Sequence, residues 1–76
     1  MTNIAASIDA TGLSCPHPVL LVRAALRELP RGAVIELLAD DPLASTDVQA
    51  FCLRAGHELL RDERDGEVLR FVIRKG

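Results

Sequence analysis

Residues 33–39 read Ala-Val-Ile-Glu-Leu-Leu-Ala, a stretch interrupted by a single charged side chain. A run this apolar and this short suits a strand with a neighbour on each side better than an edge strand. It marks the centre of a sheet, and a chain of 76 residues has room for only one such centre. At that size folding buries roughly 60–65% of the surface the unfolded chain exposes, so all strands and helices must share one interior. With 49% apolar and 26% charged residues, the composition is that of a globular domain and not of a disordered tail. One domain over residues 1–76 is expected.

The other apolar patterns fall into place around this strand. Residues 4–10 put Ile4, Ala6 and Ile8 on one face and Ser7 and Asp9 on the other, the weak period-two signal of an edge-like strand. Beyond the turn at Gly12, Val19, Val22, Leu26 and Leu29 recur at helical spacing from Pro16 until Pro30-Arg31-Gly32 ends the pattern. Asp40-Asp41-Pro42 closes the central strand. A second helix then shows Val48, Phe51, Cys52 and Ala55 on one face and stops at Gly56. Its start lies between Pro42 and Thr46, because Asp41-Pro42 and Thr46-x-x-Gln49 are both workable caps. Residues 58–64 and 67–75 flank Asp65-Gly66, a pair suited to a type I′ hairpin turn, and Leu69, Phe71 and Ile73 alternate with Val68, Arg70, Val72 and Arg74. The order β-α-β-α-β-β predicts an α+β fold, a two-layer α/β sandwich whose four-stranded mixed sheet carries two helices on one face. A right-handed crossover makes the first two strands parallel.

Several function classes are excluded. Nine basic residues against eleven acidic, with no Trp or Tyr and two Phe, supply neither the charge nor the stacking surface for direct nucleic-acid binding. No apolar run approaches the ~18 residues of a membrane span, and residues 1–15 lack the Lys or Arg of a signal peptide. Cys15 and Cys52 are too few for the disulfide framework of a secreted domain. A cytoplasmic location follows, in which both cysteines are thiols.

The segment Gly12-Leu13-Ser14-Cys15-Pro16-His17-Pro18 puts one of those thiols at a helix entrance. With Cys15 as N-cap, Pro16 takes the first helical position, where its fixed φ suits the helix and its missing N–H costs nothing, and Pro18 takes the third. Only the His17 amide is then free to point at the sulfur. That N–H and the helix dipole favour thiolate over thiol, the usual origin of a nucleophilic cysteine. The plainer reading is a Cys-Pro pair that simply starts a helix, with no chemistry at the sulfur. Position favours the first, since the loops after two parallel strands emerge at the same sheet edge, where α/β proteins bind ligands. Cys15 and the Asp40-Asp41 pair are therefore expected to be neighbours. The acids oppose a thiolate through space, which makes them partner-docking or capping groups and not activators.

His17 could be a general base, a cation that favours the thiolate, or a solvated side chain held between two prolines. The last fits best, because residues i and i+2 of a helix do not face each other. Cys52 lies on the apolar stripe of the second helix and reads as a packed core thiol, out of reach of a disulfide with Cys15. No Cys-x-x-Cys or His-x-x-x-His pair is present, so no metal site is expected from Cys15, His17, Cys52 and His57. His57, just past the second helix, is expected to contact that helix's C-terminus. Arg70, Arg74 and Lys75 are expected on a solvated outer face.

Taken in order, these residues resemble the TusA/SirA family of small sulfur-carrier proteins, nearly from end to end. Its Cys-Pro-x-Pro signature stands at Cys15-Pro16-His17-Pro18, preceded by Asp9, Gly12 and Leu13. The Asp40-Asp41-Pro42 segment, the Asp47, Phe51, Cys52 pattern, Gly56-His57 and the closing Ile73-Arg74-Lys75-Gly76 also match. The resemblance implies a two-layer α/β sandwich in which Cys15 accepts a persulfide sulfur and hands it on. It also implies protein partners: a cysteine desulfurase or rhodanese as donor and a relay protein as acceptor, in tRNA thiolation or in sulfur oxidation. Pro16, His17, Pro18 and Gly12 would shape the site, and Asp40, Asp41 and Arg23 are candidates for partner docking. His17 stands where an acidic residue is frequent, and Ala24 where a basic one often follows Arg23.

In the expected reaction the Cys15 thiolate attacks the outer sulfur of a donor persulfide, and an acceptor thiolate later takes that sulfur by the same displacement. No cofactor is called for. Two rivals differ in class. A non-catalytic regulatory or protein-interaction module would have an ordinary thiol at a structural Cys-Pro helix start. A redox-sensing thiol would form a stable sulfenate or mixed disulfide at Cys15.

Overall fold

The computed structural model describes residues 3–76. Its elements are β1 (Ile4–Asp9), α1 (His17–Arg27), β2 (Val34–Ala39), α2 (Ala44–Ala55), β3 (Glu58–Asp65) and β4 (Val68–Arg74). The strands form one sheet in the order β1-β2-β4-β3, with β1 parallel to β2 and both other pairings antiparallel. The apolar run is indeed interior: β2 pairs with β1 on one side and β4 on the other. Such a position favours apolar residues on both faces, which is why Val34 is buried on the face opposite Ile35, Leu37 and Ala39. β1 and β3 are the edges. Their alternation is correspondingly weak, and each carries an irregularity in its pairing, at Ile4/Ala6 and at Leu59/Arg61.

Both helices cover the same face. Ile35, Leu37 and Ala39 of β2 and Leu69, Phe71 and Ile73 of β4 point to it, and Val22 and Leu26 of α1 meet Ala44, Val48 and Cys52 of α2 above them. The architecture is thus the expected α+β sandwich with β-α-β-α-β-β order. The opposite face is polar at its centre. There Glu36 on β2 accepts from Ser7 of β1 at 2.8 Å and pairs with Arg70 of β4, a cross-strand ladder that holds three strands in register.

Two local expectations are corrected and a third is refined. The hairpin turn is Gly66-Glu67 and not Asp65-Gly66, since Asp65 pairs directly with Val68. Gly66 has φ +63° and, among the described residues, no non-glycine residue has positive φ; a type I′ turn needs both central residues there, so the loop follows the Gly-X pattern of type II′. Lys75 does not join Arg70 and Arg74 on the outer face, where Arg74 pairs with Glu58. Its Nζ donates to the Leu29 carbonyl at 2.7 Å just beyond the end of α1, while its backbone exchanges bonds with Gly32 and Ala33. His57 meets the end of α2 through its backbone, whose N–H donates to the Cys52 carbonyl at 2.9 Å, while the imidazole is engaged elsewhere. Its ring tilts against Phe51 with centroids 5.3 Å apart, its Nδ1 accepts from the Gly76 N–H at 3.1 Å, and burial followed by the Lys75 charge lowers its pKa.

Candidate functional site

The carboxyl ends of β1 and β2 open side by side, and the Ala10 N–H still donates to the Leu38 carbonyl at 2.8 Å. The two loops that follow are bonded to each other by aspartates. Asp40 receives the Gly12 N–H on both carboxylate oxygens, at 3.0 and 3.1 Å, across a turn where Gly12 takes φ +82°, a conformation that favours glycine. Asp41 receives the Cys15 N–H at 2.7 Å and, on its other oxygen, the Leu43 N–H at 2.9 Å. Those two bonds hold its carboxyl below the usual range. Asp40 and Asp41 are spent as backbone caps. The Asp41 carbonyl also receives the Ala44 N–H at 2.9 Å in the turn that leads into α2, whose cap is Leu43, inside the expected range and at neither of the two candidate caps.

The entrance to α1 lies one residue later than expected. Pro16 is the cap, His17 the first helical residue and Pro18 the second; the first helical bond runs from the Leu20 N–H to the Pro16 carbonyl at 3.2 Å. Cys15 therefore precedes the cap. The His17 amide does not face the sulfur, because it donates to the Ser14 carbonyl at 2.9 Å. The His17 side chain is exposed, and Pro18 is buried and anchors the helix start in the core.

What does touch the sulfur is Asp47, on the first turn of α2: the Cys15 thiol donates to its Oδ2. The environment is the reverse of an activating one. The bond to Asp47, partial burial, and the charges of Asp47 and Asp41 together raise the Cys15 pKa above its ordinary value. The expected thiolate-favouring helix entrance is thus overturned. Neither contribution invoked for it is present: the sulfur is outside the helix cap, and the His17 amide is bonded to the Ser14 carbonyl.

Beside the thiol a cleft of about 500 Å³ runs between the helices, lined by Cys15, Val19 and Arg23 on one side and Asp47, Phe51 and Arg54 on the other. Arg23, singled out from the sequence, does reach this site; His17 does not line it. Asp47, noted in the sequence only as part of the family pattern, and Arg54 were not assigned to the site. Asp47, Phe51 and Arg54 follow one another at i, i+4 and i+7, which places them on one helix face, and that spacing was the available signal. Cys52 points the other way. It is buried, 3% exposed, with its thiol pushed up to about 11 by burial, and both cysteines are free. Among the described residues there is no cluster of three His, Cys, Asp or Glu able to hold a metal, and no helix long and apolar enough to cross a membrane.

Fold and site together define a class: a small α+β sandwich that presents a single reachable thiol at the carboxyl edge of its parallel strands, next to a cleft between its helices. Residues 6–75 match the profile of the family described as Sulfurtransferase TusA, and the chain belongs to that family. A solved structure, that of a SirA-like protein from Desulfitobacterium hafniense, is similar at 34% identity and a TM-score of 0.77, over 93% of this chain and 97% of that one. Sulfur relay is accordingly the general role of the chain.

Proposed function

We propose that the chain carries sulfur as a persulfide on Cys15, taken from a protein donor such as a cysteine desulfurase or a rhodanese and passed to a protein acceptor. The observation that carries this reading is the placement of Cys15, whose half-exposed thiol opens into the interhelical cleft while Cys52 is sealed in the core. In loading, the Cys15 sulfur attacks the outer sulfur of the donor persulfide. The donor S–S bond breaks, its inner sulfur leaves as a thiol, and Cys15–S–SH forms; delivery repeats the displacement with the acceptor's sulfur as nucleophile. The donor's and acceptor's identities, and whether delivery ends in tRNA thiolation or sulfur oxidation, are set by docking at the rim. Gly12, Pro16 and Pro18 hold the cysteine loop in place, with Arg23, Asp40, Asp41 and His17 around it. A cytoplasmic setting, with its reduced thiols, suits this chemistry.

Cyanolysis tests the reading. After incubation with a desulfurase and cysteine, cyanide should release one thiocyanate per chain from the wild type and none from Cys15→Ser. The raised thiol pKa favours one alternative, a regulatory or protein-interaction module with a structural Cys-Pro loop. That reading expects no thiocyanate, and partner binding unaffected by Cys15→Ser.

A further inference from the structure

Asp47 is placed unlike the other two aspartates of the site. Asp40 and Asp41 are occupied by backbone N–H groups, whereas the hydrogen bond of Asp47 is to the Cys15 thiol alone. It is half-buried and faces the interhelical cleft. Among the described residues no Lys, Arg or His forms an ion pair with it. The charged groups around the sulfur are Asp41 from the loop after β2, Asp47 from α2, Arg23 from α1 and Arg54 from α2, with His17 outside at the helix entrance. A carboxylate bonded to a thiol keeps the proton on sulfur, and the thiol form is not the nucleophile. The resting site is therefore built to be unreactive, although the proposed chemistry needs a thiolate.

We infer that Asp47 is a latch: it holds Cys15 as the protonated, inert thiol in the free chain, and a cationic side chain that a sulfur-exchanging partner presents beside its own cysteine draws Asp47 off and frees the sulfur. The inference rests on the persulfide-carrier reading for its purpose, but its first half concerns only the thiol. The occupant at this rim is a protein surface with a Lys or Arg next to its reactive cysteine, by charge complementarity with a carboxylate that forms no ion pair among the described residues. The exchange balances without an added reagent. As the Cys15 sulfur bonds to the outer sulfur of the donor persulfide, the Cys15 proton ends on the donor's departing sulfur, giving Cys15–S–SH and a donor thiol.

The test is the rate of iodoacetamide alkylation at Cys15, followed peptide by peptide across pH in the intact chain. For Asp47→Asn the midpoint of the pH profile should fall, and the rate near neutral pH rise, by about tenfold for each pH unit of that fall. Asp47→Glu, which keeps a carboxylate within reach, should restore the wild-type profile. Asp47→Lys, which puts the partner's cation in place within the chain, should lower the midpoint beyond Asp47→Asn. An Asp47→Asn profile that is unchanged or moved to higher pH overturns the latch, and so does a folded Asp47→Lys chain with a midpoint at or above that of Asp47→Asn. With sulfur donors, Asp47→Asn should load faster from cysteine persulfide yet more slowly from a desulfurase, by a rise in KM; equal slowing with both contradicts the inference. A wild type that takes sulfur from neither donor defeats the carrier reading while the alkylation profiles still decide the latch.

Discussion

Replacing Cys52 by Ser separates the two thiols by role. Cys52 lies on the core face of α2, 3% exposed, among Val48, Phe71 and the other side chains under the helices. A serine there removes a polarisable apolar atom and buries a hydroxyl, a change that costs about 1–3 kcal/mol in proteins. The hydroxyl can bond back to the carbonyl of Val48, one turn earlier, which brings the expected loss to about 1–2 kcal/mol. For a chain this short, each kcal/mol lowers Tm by roughly 4–8 °C, so Cys52→Ser should melt about 4–16 °C below the wild type. The total stability of 76 residues is on the order of 4–11 kcal/mol, so the variant remains folded at room temperature. Thermal melting by circular dichroism measures the shift, and sulfur loading at a temperature where both proteins are folded measures the role. With its thiol near 11, about one Cys52 in a thousand is ionised at pH 8, and loading should be unchanged. An unaltered Tm, or lost loading in a folded Cys52→Ser chain, refutes the assignment of Cys52 to the core.

Three further outcomes are expected. Phe71→Ala empties the centre of the interior, where Phe71 is fully buried; a loss of about 3–5 kcal/mol, a large share of the total, should be seen in urea denaturation. Gly66→Ala forces an L side chain into φ +63°, so the hairpin should lose about 1–2 kcal/mol by the same assay. Stability should also fall with acid in two windows. His57 has a folded pKa below 6.5, so the unfolded chain binds its proton first and stability declines as pH drops through 6.5 towards the folded value; Glu36, held below 4.5 by Ser7 and Arg70, adds a second decline below 4.5. Urea midpoints against pH should lose the first step in His57→Gln and show a smaller second step in Glu36→Gln, the remainder coming from Asp9 and Asp41, whose carboxyls are also held low.

The fold was legible because its signals are periodic and mutually consistent. The run at β2 could only be an interior strand, the stripes of α1 and α2 needed one shared face, and Pro30-Arg31-Gly32 and Gly56 stop the helices where their backbone demands it. The turn register was not legible, since Asp65-Gly66 and Gly66-Glu67 both make two-residue loops and the choice is made by how β3 pairs with β4. At the site, topology alone brought Cys15 next to Asp40 and Asp41, and charge left them as docking or capping groups, of which the bonds to Gly12, Cys15 and Leu43 show capping. The electrostatics of the sulfur did not follow. They depend on whether Cys15 lies inside or outside the first turn of α1, a shift of one residue that local preference does not resolve, and on Asp47, which reaches the thiol from a helix 32 residues further along the chain. Packing puts the sulfur outside the helix cap and beside a carboxylate, where a helix entrance no longer favours the thiolate.

The intact mass of the chain after incubation with a cysteine desulfurase and cysteine tests the central claim most directly, with Cys15→Ser and Cys52→Ser treated alongside. A gain of one sulfur atom that reductant reverses, present in the wild type and in Cys52→Ser and absent in Cys15→Ser, is the predicted result. A gain that persists in Cys15→Ser, or no gain from a desulfurase or from a rhodanese donor, would contradict it.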